Sequence, residues 1–221
     1  MIARPSPNFD VRSHPVSMLV LHYTGMQSAA DALDRLTDAQ AKVSAHWVVA
    51  EDGQIISLVD ESSRAWHAGK AWWRGITDVN SASIGIEIVN PGHEFGYRPF
   101  PDEQMAAVEQ LVAAAVARFG IDPSNVVGHS DVAPARKDDP GELFDWPRLA
   151  RAGLAVAVPA GGFDPNWTDA GTLAALQRYG YDVTEPRAAV IAFQRRFRPE
   201  NIDGSIDAAT RTILRGLLTQ A

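Results

Sequence analysis

Apolar and polar positions along this chain fall into a few clear periods. Val16-Ser17-Met18-Leu19-Val20-Leu21-His22 is a nearly continuous apolar run. It predicts a buried strand with His22 at its C-terminal end. Val43–Ala50 reads as a second strand and Ile55–Val59 as a third, and Glu51-Asp52-Gly53-Gln54 between them carries the Asp-Gly signal of a hairpin. Ile84–Asn90 alternates, placing Gly85, Glu87 and Val89 on one face and Ile84, Ile86 and Ile88 on the other. The helical period is clearest over Asp102–Phe119, with proline before it, acids in its first turn and Gly120 just past its end. Its apolar stripe includes Met105, Val108, Leu111, Val112, Ala115 and Phe119. Ser28 caps a shorter predicted helix that buries Ala29, Ala32, Leu33 and Leu36.

The ends of the chain behave differently. Residues 1–15 are polar and proline-rich and predict an extended arm. Leu143–Leu149 leads into a short helix, and Val156 to Gly162 reads as a linker by its shift to small residues and proline. Three helical patterns follow, near 171–180, 186–197 and 207–219, with Pro186 at the second start and Asp203-Gly204 in the turn before the third. The expected organisation is a domain over residues 1–155, a linker over 156–170 and a small helical domain over 171–221.

Composition narrows the function. A chain of 221 residues with 46% hydrophobic content suits a globular protein with one medium domain and room for a second. Its net charge of −7 speaks against a nucleic-acid partner and against an anionic membrane surface. There is no cysteine, which excludes disulfides, thiolate ligands and a cysteine nucleophile. No apolar run reaches the ~18 residues of a membrane span. The first residues lack the pattern of a secretory signal, so a cytoplasmic protein is expected, or a periplasmic one if a signal has been removed.

The chemistry gathers in Gly128-His129-Ser130-Asp131 and the Pro- and Asp-rich stretch through Arg136-Lys137-Asp138-Asp139-Pro140-Gly141. A loop this polar needs something to hold one shape, and a metal ion bound by an imidazole and a carboxylate does so. His22 is the expected third ligand. Of Asp131, Asp138 and Asp139, we favour Asp139. An Asp-Pro-Gly turn can direct its carboxylate back to the loop start, whereas Asp131 is too close to His129 to close the loop. Without cysteine, such a donor set suits zinc with one position open to water. Each feature also has an ordinary reading: a hydrogen-bonded histidine after a strand, a solvated acidic loop. Glu87 is a separate clue, because a carboxylate in an isoleucine-rich strand is costly to bury without a partner. It is the candidate general base, and Lys137 the candidate oxyanion partner.

Taken in order, seven stretches resemble the zinc-dependent N-acetylmuramoyl-L-alanine amidases of the type 2 family, relatives of peptidoglycan recognition proteins. They are Leu21-His22-Tyr23-Thr24, Val43-Ser44-Ala45-His46-Trp47, Glu51-Asp52-Gly53, Ala65-Trp66-His67-Ala68-Gly69, Ile84-Gly85-Ile86-Glu87-Ile88, Gly128-His129-Ser130-Asp131 and Arg136–Gly141. The resemblance implies an α/β fold, a mixed β-sheet flanked by helices, with the zinc over one edge. It implies zinc on His22, His129 and Asp139, Glu87 as catalytic acid and Lys137 as active-site lysine. Some phage relatives carry a tyrosine where this chain has Ala45, and a cysteine where it has Asp139. Tyr23, His46, Trp66, His67 and Trp72 are expected around the substrate, with His46 and His67 alternatively structural, and the Trp72-Trp73 pair offers a surface for sugar.

The C-terminal stretch Ala192–Pro199, Ile202–Asp207 and Thr210 resembles a three-helix peptidoglycan-binding domain. The expected partner is a peptidoglycan fragment, probed as a muropeptide, and the expected state is a monomer. The expected reaction is hydrolysis of the amide between N-acetylmuramic acid, including its 1,6-anhydro form, and L-alanine of the stem peptide. The rivals are a non-catalytic muropeptide sensor and a zinc peptidase cutting elsewhere in the stem.

Overall fold

Leu19 and Leu21 face one side of a central strand and Met18 and Val20 the other, and the architecture is built outward from that division. The computed structural model describes residues 2–220. The chain runs through β1 (Ile2–Ala3), β2 (Phe9–Val11), β3 (Met18–Tyr23), α1 (Ala29–Thr37), β4 (Trp47–Val49), β5 (Ile55–Ser57), β6 (Ser63–Ala65), α2 (Val79–Ala82) and β7 (Ser83–Ile88). It continues through α3 (Gly92–Phe95), α4 (Asp102–Phe119), β8 (Val126–Gly128), α5 (His129–Val132), α6 (Trp146–Arg151), α7 (Asp169–Tyr179), α8 (Pro186–Phe197) and α9 (Ala208–Gln220).

Six strands form one mixed sheet in the order β1-β5-β4-β7-β3-β8. The β4–β5 pair is the antiparallel hairpin expected from Asp52-Gly53, and the other neighbours run parallel. The arm expected at the N-terminus is not free. Its described residues add β1 to the sheet edge beside β5, and β2 pairs antiparallel with β6. Strands of two or three residues, β6 (Ser63–Ala65) among them, leave no period to read.

The helices follow their sequence signals. The Ser28 side chain accepts from the Asp31 amide and caps α1, which buries Ala32 and Leu36. Gly120 ends α4 at a φ of 65°, a left-handed conformation that glycine adopts without strain. One face of the sheet meets α4: Leu19, Leu21, Ile84, Ile86 and Ile88 bury against Met105, Val108, Leu111 and Val112. The opposite face is apolar at its two flanks. Val48 and Ile56 pack with Leu36 of α1 on one flank, and Met18, Val20 and Val127 lie on the other. His22, Gly85 and Glu87 continue this face along β3 and β7.

The three C-terminal helices share the sheet's core. Tyr179 of α7, Phe193 of α8 and Leu214 of α9 belong to the same buried cluster as Met18, Val20 and Val127. The chain can be divided by sequence at 155 and 170, but its apolar interior runs across that division. A single cooperative unfolding transition is therefore expected, with tryptophan fluorescence and far-UV circular dichroism coinciding in urea. Phe193→Ala is expected to lower the stability of the whole chain by about 3–5 kcal/mol. Two separated transitions, with only one moved by the substitution, would contradict the shared core.

Candidate metal centre

The parallel register places His22 directly beside Glu87, so both side chains project from the same face at the C-terminal ends of neighbouring strands. β8 lies on the other side of β3, and His129 follows it as the first residue of α5. The loop returns at Asp139, whose carbonyl oxygen accepts from the Ser130 amide at 2.8 Å. That bond closes the loop and turns the Asp139 carboxylate inward. His22, His129 and Asp139 are all buried. His22 Nδ1 lies 2.9 Å from His129 Nδ1 and 3.1 Å from Asp139 Oδ2, and His129 Nδ1 lies 3.0 Å from that same oxygen.

Hydrogen bonding on the far side of each ring determines what these atoms can do. His129 Nε2 is 3.0 Å from the carbonyl oxygen of Ala68, which can only accept. The ring proton therefore sits on Nε2, and Nδ1 carries a lone pair. His22 is fixed by a longer chain. The Ser83 hydroxyl donates to the Val79 carbonyl, so its oxygen accepts from His67 Nε2 at 3.1 Å. His67 Nδ1 then accepts from His22 Nε2 at 3.0 Å, which leaves His22 Nδ1 unprotonated. The His67 ring reaches this position because Gly85 has no side chain: a Cβ there would stand 2.5 Å from the ring.

Two imidazole lone pairs and a carboxylate oxygen thus converge at 2.9–3.1 Å. Their mutual repulsion calls for a cation between them. Tetrahedral zinc with nitrogen and oxygen bonds of about 2.0–2.1 Å separates its ligands by about 3.4 Å, close to this spacing. The three residues fit such an ion in donor type, geometry and tautomer.

The electrostatics agree. Burial, reinforced by His129, pushes His22 down to about 4, so it is neutral at neutral pH. Burial drives His67 well below the ordinary range, with His22 and His46 adding to it. Burial alone raises the Asp139 carboxyl, but a proton on the facing His129 or His22 nitrogen outweighs it, so that in the metal-free cluster the carboxyl titrates far below the usual carboxylate range. Glu87 goes the other way. Burial, with the Asp139 charge second, raises it well above its ordinary value, against the opposing pull of Lys137. Its Oε2 is buried with no hydrogen-bond partner. Such an atom needs a ligand or water to complete it.

A cavity of about 490 Å³ opens over the cluster, lined among others by Tyr23, His67, Glu87, His129, Lys137 and Asp139. Arg35, which no motif marks, and Arg136, which opens the Arg136–Gly141 stretch, also line it. The other acids of the loop stay outside the cluster. Asp131 turns into the interior, and Asp138 is exposed and paired with Arg195.

The expected substrate residues separate. Tyr23 and His67 line the cavity. His46 does not: it is completely buried, its Nδ1 accepts from the Gly85 amide, and its Nε2 lies 3.1 Å from the Ser63 carbonyl and 2.8 Å from Arg12. Both ring nitrogens are spent inside the fold, which supports the structural alternative expected for His46. Trp66 is half-buried away from the cavity walls. Trp72 lines an adjoining groove that shares Arg136 with the cavity, and Trp73 is buried against Tyr181, where no sugar can stack on it.

A triad of nitrogen and oxygen donors open on one side, with a buried glutamate beside it, is the arrangement that a single-metal hydrolase requires. Comparison with known proteins narrows the class. The family model described as N-acetylmuramoyl-L-alanine amidase matches residues 12–142, and the chain belongs to that family. It is similar to the N-acetylmuramoyl-L-alanine amidase AmiD of Escherichia coli K12, at 39% identity over 92% of this chain and 82% of the relative. It is also similar to the 1,6-anhydro-N-acetylmuramyl-L-alanine amidase AmpD of Haemophilus influenzae, at 32% identity over 65% of this chain and 86% of the relative. Among solved structures, E. coli AmiD in complex with the substrate anhydro-N-acetylmuramic acid-L-Ala-D-gamma-Glu-L-Lys superposes with a TM-score of 0.84 at 36% identity, covering 96% of this chain and 92% of that one. AmpDh3 of Pseudomonas aeruginosa gives a TM-score of 0.83 at 32% identity, covering 98% and 95%.

The buried histidines make the metal-free fold acid-sensitive. His22 and His46, at about 4 and about 3, stay neutral where an unfolded chain, titrating near 6.5, takes up protons. Between pH 6.5 and about 4 the unfolded state binds more protons, so stability falls as pH falls, by about 1.4 kcal/mol per pH unit for each such histidine. His46→Gln is expected to flatten that slope by one histidine's share in urea unfolding of chelator-treated protein from pH 7 to 5. An unchanged slope would contradict the burial of a neutral ring at 46.

Proposed function

We propose that this chain hydrolyses the amide joining the lactyl group of N-acetylmuramic acid, including its 1,6-anhydro form, to L-alanine of the stem peptide, in peptidoglycan turnover or recycling. The carrying observation is the meeting of His22, His129 and Asp139 beside a buried, incompletely hydrogen-bonded Glu87 on one cavity wall. The E. coli relative solved with an anhydro-muramoyl peptide supports the substrate class. Zinc is the ion proposed for the three ligands; it supplies polarisation of the scissile carbonyl and a water with a pKa lowered to about 7.

This chain's residues perform the remaining tasks. Glu87, kept readily protonated by its dry surroundings, accepts the proton of the attacking water and returns it to the departing alanine nitrogen. Lys137 places a positive charge at the cavity wall, where the carbonyl oxygen becomes negative. His67 holds the His22 tautomer from behind. Tyr23 on the wall is the proposed substrate contact, with Trp72 serving longer fragments that reach the adjoining groove. The C-terminal segment is proposed, by resemblance, to favour larger wall fragments.

Glu87→Gln is expected to retain one zinc per chain, measured by metal analysis, while kcat falls about 10²–10⁴-fold on anhydro-muropeptide. Lys137→Ala is expected to lower kcat by about 10²-fold with a smaller effect on KM. Product masses distinguish the alternatives. Release of intact stem peptide that a chelator stops supports the amidase; loss of a terminal amino acid points to a peptidase, and binding without cleavage to a sensor. Near wild-type turnover by Glu87→Gln would remove the proton-transfer assignment.

A further inference from the structure

Asp131 and Asp138 flank the two loop ligands, neither turns toward them, and both are held from one dipeptide on α8. Arg196 is buried, with Nη1 2.7 Å from Asp131 Oδ2 and Nη2 donating at 2.9 Å to the carbonyl of Val126. Its guanidinium lies 3.9 Å from the centre of the Trp146 ring, which fixes its plane. The same Asp131 oxygen accepts from the Gly128 amide at 2.8 Å, and its other oxygen accepts from the Tyr181 hydroxyl. Val126, Gly128 and Asp131 bracket His129, so the backbone that carries this ligand is gripped on both sides. Arg195 points along the other limb of the loop. Its Nη2 is 2.8 Å from Asp138 Oδ1, one residue before Asp139, and its Nε is 3.5 Å from Glu142 Oε2.

A metal triad tolerates little displacement of its donors. The bond from Ser130 to Asp139 ties the two limbs together, but it lies within the loop and cannot anchor it to the fold. Anchors to the fold come from the Tyr97 hydroxyl, which donates to the Pro140 carbonyl, from Arg136, which donates to the Ala68 and Lys70 carbonyls, and from α8, whose apolar face is sealed into the sheet's core through Phe193. Arg196 stands on that buried face, three residues after Phe193. A guanidinium so placed is maintained by its partners: two acceptors and an aromatic face.

We propose that Arg195 and Arg196 are positioning residues for the metal centre, and that the C-terminal helices set the spacing of His129 and Asp139. This rests on the metal-centre reading given above. The full-length protein is to be examined as wild type, Arg196→Lys, Asp131→Asn, Arg195→Ala and Leu214→Ala, the last being a core change in α9 remote from the loop. The measurements are the zinc dissociation constant by competition with a chromophoric chelator, the visible spectrum of the cobalt-substituted protein, the melting temperature, and kcat and KM.

Arg196→Lys and Asp131→Asn are expected to weaken zinc binding about 10–100-fold and to shift the cobalt bands. Leu214→Ala is expected to melt at a similarly lowered temperature with zinc affinity and spectrum unchanged. Arg195→Ala, whose partner Asp138 is exposed, keeps the test open if the buried variants do not fold; a loss of about threefold or more in affinity is expected. Zinc affinity that merely tracks melting temperature across all variants, or that is unchanged in all three loop-directed variants, overturns the proposal while leaving the metal centre intact. A wild-type chain that binds neither zinc nor cobalt overturns the metal-centre reading, and the positioning role with it.

Discussion

Everything at the site depends on forcing two imidazole lone pairs and a carboxylate oxygen into mutual contact. Isolated in an interior, that grouping is repulsive. It persists because each partner is constrained from behind: His129 by the Ala68 carbonyl, His22 by His67, Ser83 and the Val79 carbonyl, and Asp139 by its backbone bond to Ser130. The constraint ends in main-chain carbonyls, which cannot change their protonation. The fold therefore presents its donors oriented for a cation, which has only to spread them by a few tenths of an ångström.

The same economy explains the contrast between Glu87 and Asp139. Both carboxylates are buried: Asp139 meets His22 and His129 directly, and Glu87 is the register partner of His22 on the neighbouring strand. Asp139 lies against the two imidazoles and is held far below the usual carboxylate range; Glu87 has no partner on Oε2 and is pushed toward its neutral form. Environment alone separates a ligand from an acid–base group.

Much of this was legible from residue order. The apolar run before His22, the alternation around Glu87 and the stripe from Met105 to Phe119 each produced the expected element, because their periods are long enough to read. The choice of Asp139 over Asp131 rested on loop closure, and the structure brings Asp139 together with the histidines while turning Asp131 inward. What could not be read is what depends on distant partners. β1, β2 and β6 are too short to carry a period. His46 and His67 look alike in sequence, and only the strand and loop behind them decide that one is spent internally and the other borders the cavity. Arg196 did carry a signal that went unread, a charge on the apolar stripe of its helix three residues after Phe193.

Gly85 has a consequence for how this sequence can drift. Its missing side chain is the space that the His67 ring occupies. Any larger residue at 85 must evict that ring, and the ring's loss frees the proton position on His22. Residues 67 and 85 thus act as one unit: a side chain added at 85 is felt at His22 through the displaced ring.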